Sequence, residues 1–119
     1  MKRAQLLLAI SVLGLSGCGP LNIQLTSAGY EVVLVDSKAD LPASCRYLGF
    51  VVADIGANFQ TFSHNVELAQ TKVRNDAANK NGTHVLVGAP EESKTNSWAG
   101  AGGNCRNCVK ITGKVFRCK

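Results

Sequence analysis

The chain of 119 residues has no apolar run long enough to cross a bilayer as a helix. Its longest, residues 4–15, spans about 12 positions and is interrupted by Gln5, Ser11 and Gly14; a hydrocarbon core of roughly 30 Å needs about 20. A transmembrane helix is therefore not expected. Runs of Lys or Arg are absent as well. The 13 basic and 8 acidic residues are scattered, and two units of the formal +5 charge come from Lys2 and Arg3. Without a basic patch, nucleic acid is not an expected partner, although the mild excess favours anionic lipid or glycan surfaces. There is no internal repeat, and no Ser-His-Asp or Cys-His arrangement. Glu91 and Glu92 are adjacent in a polar stretch, where two carboxylates are solvated rather than set up as an acid–base pair. The Gly100-Ala101-Gly102-Gly103 run does not join a strand to a helix, so it does not read as a phosphate cradle. These absences point away from an enzyme, and no cofactor or metal is expected.

What is present starts at the N-terminus. Met1-Lys2-Arg3 is positive, residues 4–15 are apolar, and Ser16-Gly17 precede Cys18. A charged start, a short apolar stretch and small residues before a cleavage point define a secretory signal peptide. Leu15-Ser16-Gly17-Cys18 resembles the bacterial lipobox, which implies that residues 1–17 are removed and that Cys18 is acylated as the new first residue. Several acyl chains make membrane attachment stable where one would be marginal. Gly19 stands where an aspartate would imply retention in the inner membrane, so by analogy with enteric sorting the expected location is the outer membrane, the domain facing the periplasm. Residues 18–29 read as the lipidated N-terminus and a short tether, and 30–119 as one domain.

Within that domain residues 30–35 and 45–53 read as strands. The second is apolar on both faces, as a central strand would be. From about 63 to 80 the residues Phe62, Val66, Ala69, Val73 and Ala77 recur at spacings of three and four, predicting a helix capped by Ser63 and stopped at Asn81-Gly82. Residues 84–89 follow as a strand, 90–104 as a long polar loop carrying the only tryptophan, Trp98, and 109–118 as a last strand. Val109 and Ile111 differ in parity from Phe116 and Cys118, so a bulge at Gly113 is expected to bring all four inward. The order ββαββ predicts an α+β domain, one helix on a small, mainly antiparallel sheet.

Cys45, Cys105, Cys108 and Cys118 remain once Cys18 is set aside. An even number in a small exported domain favours disulfides. A Cys45–Cys118 bridge would clamp two strands and leave Cys105 with Cys108, while the two crossed connectivities stay open. The Cys105-Arg106-Asn107-Cys108 spacing also admits a redox pair, or a metal site completed by Cys45, Cys118, His64 or His84. A redox pair usually sits at a helix N-terminus, and this one leads into a strand; a zinc site usually shows a second close cysteine pair, and there is none.

Several pieces in order resemble the bacterial lipoprotein family of domain-of-unknown-function 4156. These are Ser27-Ala28-Gly29 leading to Val32-Val33-Leu34-Val35-Asp36, Cys45 with Leu48-Gly49, Arg74-Asn75-Asp76-Ala77-Ala78 with Gly82, Val85-Leu86-Val87-Gly88, and Gly113-Lys114-Val115-Phe116-Arg117-Cys118. That family is similar in architecture to the outer-membrane lipoprotein that feeds envelope stress to the Rcs phosphorelay. The resemblance implies a disulfide-braced α+β domain and a Cys45–Cys118 bridge but hands over no function; binding or scaffolding in the envelope beside a protein partner, or a part in envelope stress, is the role expected. The resemblance implies nothing for Cys105 and Cys108, which look like an addition of this chain. The stress sensor's long linker has no counterpart here, so a sensing role rests on analogy of fold.

Overall fold

A computed structural model describes residues 23–56, 60–92 and 106–119. It is an α+β domain. A four-residue helix α1 (Ser27–Tyr30) leads into β1 (Val33–Val35), a 3-10 turn (Lys38–Asp40) and β2 (Arg46–Ile55). The long helix α2 (Phe62–Asn79), β3 (His84–Val87), β4 (Glu91–Glu92) and β5 (Val109–Arg117) follow. The strands lie in the order β1-β3-β5-β2, with β4 beside β5 in line with β3. Only β1 and β3 run parallel; the other pairings are antiparallel.

One face of the sheet is covered by α2. Val51, Ala53 and Ile55 of β2, Val85 of β3, and Val109, Ile111 and Val115 of β5 alternate onto that face and are buried against Leu68, Ala69, Val73 and Ala77. Alanine on the helix stripe lets its backbone approach the sheet closely. Thr61 caps α2, accepting from the His64 N–H, two residues before the expected Ser63. The other end is a Schellman turn: the Gly82 N–H donates to the Ala77 carbonyl and the Asn81 N–H to that of Ala78. Asn81 is the left-handed residue, at φ 61°. Gly82 serves space instead, since a Cβ there would strike Val115 and the Ala77 carbonyl.

Other sequence expectations need correction, and the stretch 90–104, expected as a loop, contributes β4. Residues 30–35 are not one strand. Tyr30 closes α1, and only Val33–Val35 pair, because Thr26 accepts from the Gly29 N–H and turns the chain into a helix first. β2 is an edge strand rather than a central one, and the apolar residues of its outer face, Tyr47, Phe50 and Val52, are exposed. The irregularity between β2 and β5 is not at Gly113, which pairs with Val51 in regular register. It falls between Tyr47 and Gly49 on β2, where Gly49 takes φ 144°, a conformation that side chains rarely adopt. Gly113 faces the core, where a Cβ would crowd Val85. Phe116 and Cys118 are in consequence not core residues; Phe116 lies on the outer face with Tyr47. Finally, Phe62 is partly exposed, and Asn65 and Leu68 take core positions on the helix.

Candidate functional site

The ends of β2 and β5 meet where Arg46 pairs with Arg117, and the disulfide Cys45–Cys118 continues the ladder one step beyond them. It closes 73 residues of chain, a constraint on the unfolded state worth roughly 4 kcal/mol in the chain-entropy account. Its surroundings are tied down. The Cys118 N–H donates to Thr83 Oγ1 at 2.8 Å, and Ser44 Oγ meets the backbone of Lys119 at 3.3 and 3.4 Å. The same end holds the start of the described chain. The Thr26 N–H donates to Asn75 Oδ1 at 2.9 Å, while Asn75 Nδ2 donates to the Gln24 carbonyl at 2.9 Å. Of the stretch 18–29, the part from Gln24 on is thus docked along α2.

Beside the disulfide the register assembles two features that lie far apart in sequence. On the outer face Tyr47, Phe116, His84 and Val33 form one row across four strands, Tyr47 meeting Phe116 edge to face at 5.6 Å between centroids. Tyr47 and Phe50 are 53% and 64% exposed, which leaves this face apolar and open. On the helix side, Arg46, Leu48, Lys80, Asn81 and Arg117 line a groove of about 380 Å3. Arg117 Nη1 donates to the Asn81 carbonyl at 2.8 Å, and Lys80 occupies the C-cap of α2, where the helix dipole favours a cation.

The opposite end carries Cys108. It is fully buried and disulfide-bonded, and its partner lies outside the described residues, where Cys18 and Cys105 remain. The turn before it is held by α2. Asn65, fully buried, donates from Nδ2 to the Asn107 carbonyl at 2.8 Å, and Asn107 Nδ2 donates to the Gln60 carbonyl at 3.1 Å. Asn107 has φ 59°. The fold thereby brings the first turn of a helix beside Asn107, next to Cys108, which the local sequence does not. Asn65 was not singled out in the sequence; an amide three positions before Leu68 and four before Ala69, on the apolar side of the helix, was the available signal.

The remaining residues singled out in the sequence do not converge. His64 is exposed in the first turn of α2, and His84 is half-buried at the other end, its Nδ1 2.9 Å from Thr83 Oγ1. Glu91 and Glu92 are exposed and form β4, Glu91 opposite Lys110. Among the described residues no group of three or more His, Cys, Asp or Glu could hold a metal, and no helix is long and apolar enough to cross a membrane. Cys18, Trp98, Cys105 and the run from Gly100 to Gly103 lie outside the described residues. Comparison with family models, curated proteins and solved structures finds no match to this chain.

Proposed function

We propose that the chain is a bacterial cell-envelope lipoprotein. Cys18 carries the lipid anchor, and a disulfide-braced domain faces the periplasm as a binding or scaffolding module, of the kind that serves envelope-stress signalling in similar lipoproteins. The observation that carries the reading is the pairing of Leu15-Ser16-Gly17-Cys18 with oxidised cysteines downstream. Structural disulfides persist in oxidising compartments, and a small domain gains most from them. The short span between Cys18 and the docked Gln24 fits a module held close to its membrane. Membership of the family of domain-of-unknown-function 4156 belongs to this reading, as do an outer-membrane location, an envelope protein as partner and the absence of an enzymatic activity.

A second reading is thiol-redox or metal chemistry at Cys105 and Cys108. The first turn of α2 beside Asn107 favours it, because a helix N-terminus stabilises a thiolate. The complete burial of Cys108 weighs against it. Purification from the envelope without reductant, thiol trapping and peptide mass mapping separate the two. An acylated Cys18 peptide with Cys45–Cys118 and Cys105–Cys108 both oxidised is the expected result. Trappable thiols or bound metal at Cys105 and Cys108 would replace it with the second reading.

A further inference from the structure

Two arginines placed directly opposite each other on neighbouring strands repel, and a strand pair ordinarily avoids this. Arg46 and Arg117 are such a pair, and Lys80 adds a third cation across the groove they share. Among the described residues no acidic side chain lines that groove. The neutral partner present is the Asn81 carbonyl, which engages one nitrogen of Arg117 and leaves the rest of both guanidinium groups exposed. A cluster that the fold does not compensate is complementary to an anion supplied from outside. Guanidinium groups are suited to phosphate, which they bind in a forked geometry.

The position of the groove identifies the source of that phosphate. Asn75, which holds Gln24 and Thr26, precedes Lys80 by five residues, about 8 Å along the helix axis. From Cys18 to Ile23 the chain can span at most about 17 Å. Acylated at Cys18, the chain would hold this end of the domain at the lipid surface, with exposed Tyr47 at the same end on the opposite face of the sheet. Tyrosine is a residue of membrane interfaces, apolar in body and polar at its tip. The far ends of the strands carry acidic residues, Asp54 and Glu91 opposite Lys110, Glu92 next to them and Asp36 just after β1. The domain is thus polarised, with its uncompensated cations at the end from which the anchor segment leaves.

We infer that the Arg46–Lys80–Arg117 groove is a membrane-docking site that takes the phosphates of anionic phospholipids and orients the domain on its own bilayer. The inference rests on the lipoprotein reading for its orientation but not for its chemistry, and the test keeps the two apart. The mature chain from residue 18, exported behind an ordinary cleavable signal with Cys18→Ser, keeps Cys45, Cys105, Cys108 and Cys118 and carries no anchor. It is floated with vesicles of phosphatidylcholine alone and with 30% phosphatidylglycerol. Binding to the anionic vesicles is expected, falling about fivefold for each of Arg46→Gln and Arg117→Gln. Lys110→Gln, at the other end of the sheet, is the control and is expected to change it little. Equal losses from all three variants would mean diffuse attraction and overturn the proposal, as would no preference for anionic vesicles. Suppression of vesicle binding by inorganic phosphate at low millimolar concentration would reassign the groove to a free anion. The mass of the Cys18 peptide from the native envelope reads the anchor separately, so an unacylated Cys18 would remove the lipoprotein reading without touching the vesicle result. Matching thermal melts of wild type and variants guard against loss of folding.

Discussion

On the face of the sheet that meets α2, Val51, Ala53, Ile55, Ile111 and Val115 are sealed from water, while on the other Tyr47, Phe50 and Val52 of the same β2 strand remain exposed. Both faces are apolar, yet only one is packed. The difference lies in what stands opposite: a helix with a stripe of small residues on one side, and no described helix or strand on the other. Apolar composition alone therefore says little about which face of a small sheet bears stability and which is left for contact. The ends of the sheet differ too: one is braced by Cys45–Cys118 and lined by Arg46, Lys80 and Arg117, the other carries disulfide-bonded Cys108 and the amide pair Asn65 and Asn107.

The comparison can be broken by mutation, and the largest effect should come from the braced end. Cys45→Ser removes the long bridge and is expected to lower stability by roughly 4 kcal/mol in chemical denaturation. An unchanged midpoint would mean that the bridge constrains nothing. On the packed face Ile111→Ala leaves a cavity under α2 and should cost about 2–5 kcal/mol by the same measurement. Asn65→Ala leaves the Asn107 carbonyl without its amide donor, at a cost of about 1–3 kcal/mol. Local hydrogen exchange around Asn107 and Cys108 should rise with it. Phe50→Ser, on the open face, is expected to stay within about 0.5 kcal/mol of wild type. A larger loss would show that this face is covered. Arg46→Gln should raise stability by a few tenths of a kcal/mol by relieving its repulsion with Arg117, the smallest change and the one of opposite sign.

The helix was legible in the sequence because its signals are local, while Cys45–Cys118 was one of three connectivities that the count of cysteines allowed. Spacings of three and four marked the buried side of α2, and Asn81-Gly82 marked its end. The sheet was harder. An extra residue on either strand of an antiparallel pair produces a parity break, and the break was read on β5 when Leu48 and Gly49 of β2 carry it. The apolar outer face of β2 was indistinguishable from that of a central strand. The candidate groove was not legible at all. Arg46, Lys80 and Arg117 come from a strand, a helix end and another strand, and only the register of β2 on β5 unites them. Asn65 and Asn75 were hidden for a related reason: each is a polar residue on a helix whose partners, Asn107 and Thr26, come from distant segments.

The bridge from Cys45 to Cys118 divides the chain unequally under tension. Everything from Cys45 to Cys118 lies inside a closed ring, while α1 and β1 lie outside it on the side from which the N-terminal segment leaves. A pull on the two chain ends can peel residues 23–44 away, β1 being held by three residues of parallel pairing, but it reaches the core only as far as the ring allows. The released length of the described domain is then capped at about 75 Å, whatever the force. Single-molecule traces should show that ceiling in oxidised protein and lose it on reduction. Such a domain yields at its N-terminal segment before it yields at its core.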